Sequence, residues 1–94
     1  MKREIRNAIA KAIKESDLNG YKWTITENGL KWSYCDEEFT FNTTEENILT
    51  VESKHTTMAI IWYEKGEKFA NCETLTEAYY LATKATIQKA NYIY

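Results

Sequence analysis

Residues 21–34 alternate between large apolar and polar side chains on either side of one Asn-Gly pair. Tyr21, Trp23 and Ile25 are set against Lys22, Thr24 and Thr26, and Leu30, Trp32 and Tyr34 against Lys31 and Ser33. A period of two puts every second side chain on the same side of a strand, so each run reads as half-buried. Asn28-Gly29 is the strongest short hairpin signal, because a type I′ turn needs positive φ at both central residues. With that pair as a two-residue loop, Glu27 faces Leu30, Ile25 faces Trp32 and Trp23 faces Tyr34. Every large apolar side chain then shares one face, and a slip of one residue would turn the whole set to solvent, so the register is well specified.

The same matching extends the sheet. A turn at Asp36-Glu37 pairs Tyr34 with Phe39 and Trp32 with Phe41. Thr43 to Glu46 is a polar turn leading to a strand at 47–52, and a turn centred on Lys54-His55 pairs Val51 with Met58, Leu49 with Ile60 and Asn47 with Trp62. Five strands in a meander result, with a sixth, short strand over Phe69 to Cys72 after the glycine turn at Lys65-Gly66 as an open addition. In this register the buried face holds Trp23, Trp32, Tyr34, Phe39, Phe41 and Trp62. The outward face of strands four and five presents Ile48 and Ile61 as neighbours, with Ala59 and Tyr63 nearby.

Helical periodicity brackets the strands. Ile5, Ala8, Ile9, Ala12 and Ile13 recur at the i, i+3, i+4 spacing of one face over residues 4–18, and Asn19-Gly20 suits the left-handed end of a helix. Thr74-Leu75-Thr76-Glu77 reads as a capping box opening a second helix, whose broad face holds Leu75, Ala78, Tyr79, Leu81, Ala82, Ala85, Tyr92 and Ile93. Its alanines allow close approach to a sheet face crowded with aromatic rings. The expectation is one α+β domain over residues 1–94: an N-terminal helix, a five- or six-stranded antiparallel meander and a C-terminal helix, both helices on one face.

The order helix, strands, helix resembles in outline the double-stranded RNA-binding domain. That family has three strands and a basic cluster at the start of its second helix. Here the corresponding residues, Thr74-Leu75-Thr76-Glu77-Ala78, contain no lysine, so the resemblance carries no RNA-binding function to this chain.

Charge narrows the function classes. The chain has a net charge of −2, unevenly spread: residues 27–77 are acidic and both ends are basic. No apolar run approaches the roughly 20 residues needed to cross a bilayer, and Glu4 interrupts what would otherwise resemble the basic start of a signal peptide. The reading is a cytoplasmic protein. Cys35 and Cys72 match neither a disulfide framework nor a zinc or redox spacing, and read as free thiols. His55 is the single histidine, placed at a turn, so no triad or histidine-rich metal site can be assembled. No cofactor site, metal site or catalytic residue is expected. The sheet aromatics, which could stack on bases, are needed for the core, and the opposite face, with Lys22, Thr24, Thr26, Lys31, Ser33 and Thr40, is polar and only weakly basic.

Two surfaces remain. The acidic group Asp36, Glu37, Glu38, Glu45 and Glu46 flanks the third strand at both its ends, spread over about 17 Å. The second is the apolar outward set Ile48, Ile61 and Tyr63. Together they point to a small non-enzymatic module that binds another protein, its acidic surface engaging a basic, nucleic-acid-binding host protein. A small, proline-free, Asn/Lys/Glu/Tyr-rich acidic domain is also similar in size and composition to accessory proteins of phages and mobile elements, including anti-CRISPR inhibitors. The alternative is a nucleic-acid-binding domain using the basic first helix through Lys2, Arg3, Arg6, Lys11 and Lys14. A homodimer through a sheet edge or the apolar patch is left open.

Overall fold

A computed structural model describes residues 1–16, 22–34 and 36–93, without the side chains of residues 92 and 93. Helix α1 (Arg3–Ser16) buries Ile5, Ile9, Ala12 and Ile13, the stripe expected from the periodicity. Five strands follow, β1 (Trp23–Ile25), β2 (Gly29–Trp32), β3 (Glu37–Thr43), β4 (Ile48–Ser53) and β5 (Thr57–Trp62), and then α2 (Leu75–Ile93). The strands form one antiparallel sheet in the order β1-β2-β3-β4-β5. α2 lies over β4 and β5, while α1 packs along α2 and reaches β1. The expected architecture is the observed one. The expected ends of α1 at 17–20, Tyr21 at the start of the first strand and the thiol of Cys35 lie outside the described residues.

The first hairpin closes one residue earlier than the Asn-Gly pattern suggests, which shifts the pairing of its strands by two. Trp23 pairs with Trp32 and Ile25 with Leu30, while the Thr26 N–H donates to the Gly29 carbonyl at 2.9 Å. Glu27-Asn28 is therefore the loop, neither residue has positive φ, and no type I′ turn forms. Gly29 starts β2 instead. A Cβ there would lie 2.0 Å from the Phe39 carbonyl oxygen, so the glycine permits a close approach of neighbouring backbone. The next pairing also shifts by an even step: Leu30 meets Phe39 and Trp32 meets Glu37. Asp36, at φ 57, belongs to the turn, and Glu37 already belongs to β3. Even shifts keep each residue on its expected face. Trp23, Leu30, Trp32, Phe39 and Phe41 are accordingly buried, with Trp23 and Trp32 stacked at 5.4 Å between centroids. Tyr34 is the exception: the earlier turn carries it beyond the end of β2, and it is 75% exposed.

β4 and β5 differ in kind. Glu52 pairs with Thr57, but Val51 pairs with Ala59, Leu49 with Ile61 and Ile48 with Trp62. Met58 is the extra residue of a β-bulge, and an odd insertion reverses the facing of everything beyond it. Ile61 is thus a core residue, 8% exposed, and Ala59 and Tyr63 pack partly buried against the core. Ile60 and Trp62, expected inside, point outward, and Ile60 is 64% exposed. Placing Ala59 rather than Trp62 on the inner face suits a helix lying close over β5. The expected outward pair Ile48 and Ile61 is replaced by Ile48 and Trp62.

Beyond β5 there is no sixth strand, only an isolated parallel bridge between Tyr63 and Cys72. The Asn71 side chain accepts from the Trp62 N–H at 2.9 Å, and the Asn71 N–H donates to the Trp62 carbonyl at 2.7 Å, so this segment covers one end of the β5 edge. Phe69 stands 82% exposed on it. The Thr74 hydroxyl accepts from the Glu77 N–H at 3.1 Å, forming the threonine half of the capping box. On α2 the buried face is Ala78, Ala82, Thr83, Thr86, Ile87 and Ala90, narrower and rotated from the expected one; Ala85, Leu75 and Leu81 are half-buried. The two buried threonines leave no hydroxyl unpaired, because these donate to the Tyr79 and Ala82 carbonyls, each at 2.7 Å.

Candidate functional site

With both helices on one side, the other side of the sheet is not covered by any of the described residues. Alternation and register set its side chains in rows across the strands. Thr24, Lys31 and Glu38 form one row, Thr40, Glu52 and Thr57 the next, Asn42, Thr50 and Ile60 a third, and Ile48 and Trp62 the last. The face grades from charged at the β1–β3 corner to apolar at the β4–β5 corner.

The charged corner is concave. A groove of about 920 Å³ runs over it, with Glu38, Thr40, Asn42 and Glu52 on the strands. Asp36 and Glu37, together with Lys54 and His55 on the turn between β4 and β5, border the groove at one and the same end of the strands, because Phe39 pairs with Ser53. Lys31 crosses the groove to Asp36 at 2.8 Å. That hydrogen bond, the Asp36 charge and the more distant Glu38 hold the Lys31 ammonium above its ordinary range. The Asn42 amide donates to Glu52 at 3.4 Å, and the Thr50 hydroxyl donates to the Asn42 carbonyl at 3.4 Å, tying β3 to β4 across the floor. Four carboxylates thus face two lysines around one hollow, leaving it acidic.

Of the sequence-predicted site residues, Asp36, Glu37 and Glu38 are brought together. Glu45 and Glu46 sit exposed on the turn between β3 and β4, about 23 Å along the strand from Glu38 at 3.3 Å per residue, and do not line the groove. Glu52 takes their place. Its signal was present in the alternation of β4, which sets Glu52 outward beside Thr40. Ile48 lies on the apolar corner as expected, Ile61 is in the core and Tyr63 faces inward, while Ile60 and Trp62 supply the apolar surface instead. No sequence signal separates those two from Ile61 within the unbroken apolar run Met58 to Tyr63.

Other chemistry-bearing groups lie elsewhere. Cys72 is buried, its thiol pushed up by desolvation, and its Sγ–H donates to the Thr74 carbonyl at 3.5 Å. Among the described residues no three His, Cys, Asp or Glu side chains converge as metal ligands, and no helix is long and apolar enough to cross a membrane. Between the helices, the Tyr80 hydroxyl donates to Glu15, and Lys84 reaches the same carboxylate at 3.4 Å. The Tyr80 hydrogen bond, then Lys84, keeps the Glu15 carboxyl below its ordinary range.

No family model matches the chain, and neither a curated protein nor a solved structure matches it.

Proposed function

We propose that this protein is a non-enzymatic protein-binding module that works through the open face of its sheet. The observation that carries the reading is the juxtaposition, on one uncovered face, of an acidic groove and an exposed apolar corner. Carboxylates on a rigid sheet attract and orient a basic partner, and fast, salt-dependent encounter is what such complementarity provides. Ile60, with Ile48 and Trp62 beside it, offers the dry contact that holds a complex once formed. The partner is therefore a protein whose surface pairs basic side chains with an apolar patch, as proteins that handle nucleic acids in the cytoplasm do. In that setting the module would act as an inhibitor occupying a basic groove, the role suggested by its likeness in size to phage accessory proteins. A reactive centre has no support from the same residues: Cys72 is a buried thiol whose ionisation desolvation opposes, and His55 is exposed on a turn.

The test is affinity capture from nuclease-treated bacterial lysate with three baits: the native protein, Ile60→Asp, and Glu38→Lys with Glu52→Lys. One protein retained stoichiometrically by the native bait and lost from both variants is the expected result. The charge-reversed bait should lose it more severely at low salt than at moderate salt. Equal retention on all three baits would remove the sheet face from consideration.

A further inference from the structure

The charges of α1 are sorted by side. Glu4, Lys11 and Glu15 recur at i, i+7 and i+11, on the stripe that turns toward α2: Lys11 lies over the Tyr80 ring at 5.5 Å, and Glu15 accepts from Tyr80 and Lys84. One residue earlier, Arg3, Ala10 and Lys14 repeat the same spacing on the next stripe, at about 100° per residue around the helix. Arg6, one turn from Lys2 and from Ala10, flanks that stripe. Lys2, Arg3, Arg6, Ala10 and Lys14 are all exposed, and among the described residues none of these cations is in a salt bridge. Both acidic residues of α1 are thus on the side facing α2, and the far flank is purely basic. A merely solvated helix surface mixes signs; this one separates them.

We propose that this flank is a second binding surface, separate from the sheet face, and that it takes the phosphodiester backbone of a nucleic acid. From Arg3 to Lys14 it spans about 16 Å at 1.5 Å per residue, enough to follow several phosphates of one strand at roughly 3.4 Å per nucleotide along the axis. Ala10 leaves the middle of the flank low, so a backbone can lie against the helix between cations. The positive end of the α1 dipole lies beside Arg3 and Arg6. The flank has no large apolar side chain to insert among lipids, which separates it from an interfacial membrane helix. The cations contact phosphate and so position the strand without reading base identity.

The experiment is fluorescence anisotropy of a labelled duplex of about 20 base pairs, titrated with the native protein between about 30 and 100 mM salt. Four phosphate contacts predict an affinity that falls roughly 50- to 100-fold over that range. Arg3→Gln, Arg6→Gln and Lys14→Gln combined should weaken binding at least tenfold at the lowest salt and leave a slope near that of a single contact, with an unchanged circular-dichroism spectrum. Arg3→Lys with Arg6→Lys should stay within about twofold of native, since a phosphate responds to the charge. Ile60→Asp should bind the duplex like the native protein, which keeps this outcome separate from that of the sheet face. Absence of binding at the lowest salt would overturn the proposal. So would a salt slope unaltered by the triple substitution, or retention on phosphatidylserine vesicles without retention on duplex.

Discussion

The two ends of the sheet are built from the same kind of strand and show solvent opposite surfaces. Over β1–β3 the pairing is regular and the outward positions are Thr24, Lys31, Glu38, Thr40 and Asn42. Over β4–β5 one bulge at Met58 intervenes, and the outward positions beyond it are Ile60 and Trp62 beside Ile48. The inner surfaces explain the difference. Beneath β1–β3 lie the stacked Trp23 and Trp32 with Phe39 against them at 5.4 Å, a layer thick enough to fill the space up to α1. Beneath β4–β5 lies α2 with its row of Ala78, Ala82, Thr86 and Ala90, close enough that Ala59 suits the inner face and Trp62 does not. The bulge fits the sheet to its helix, and the apolar corner outside follows from that fit.

The largest expected effect breaks the regular half. Gly29→Ala places a Cβ 2.0 Å from the Phe39 carbonyl oxygen, a backbone atom that cannot swing aside. Pairing between β2 and β3 must open locally, and the cost should be about 3 kcal/mol or more, read from the urea midpoint. Gly66→Ala is the control: nothing lies within 4 Å, and only its φ of 80° opposes a side chain, so roughly 1 kcal/mol is expected. Equal losses at the two glycines would mean that the close approach at Gly29 relaxes freely.

Next in size is a pair of neighbours in the bulged half. Ile61→Ala empties a core position and should cost about 3 kcal/mol. Ile60→Ala, one residue earlier, should change stability by no more than about 0.5 kcal/mol while weakening capture of a partner by the sheet face. Reversed magnitudes would restore the unbulged register, in which Ile60 faces Leu49.

These two tests mark where the sequence is legible. Helix positions, strand number, the meander order and the capping threonine follow from periodicity and local chemistry, because each depends on residues near one another in the chain. The registers of β1–β3 come out displaced by two and by four residues, yet alternation of apolar with polar residues protects the facing of Trp23, Leu30 and Phe39. Met58-Ala59-Ile60-Ile61-Trp62-Tyr63 has no such protection: every residue is apolar, so nothing local says which are inside, and the choice is made by the helix that covers them. Ile87 and Ala90 do not stand out as core positions of α2 for the same reason, since the covered face of a helix with apolar residues nearly all round is set by what it packs on. The acidic groove was half legible. Asp36, Glu37 and Glu38 are adjacent in sequence, but Glu52 joins them only through the pairing of Thr40 with Glu52.

The smallest effect sharpens the contrast in kind rather than in size. Lys31 and Asp36 make an ion pair in the charged half, with side chains 39% and 81% exposed; its contribution is small and screened by salt. Because the folded state holds the Lys31 ammonium above its ordinary range, the contribution is complete below that range and is lost as the pH rises through the raised value. Lys31→Gln should therefore lower Tm barely measurably at neutral pH and low salt, and the deficit should shrink at about 0.5 M salt and again in strongly alkaline solution. Ile60→Gln, on the apolar corner, should shift Tm as little, but by an amount indifferent to both salt and pH. A deficit at Lys31 that ignores salt would mean that its methylene stem, lying across the groove floor, matters more than its charge. The two corners of the open face would then differ less in physics than in composition.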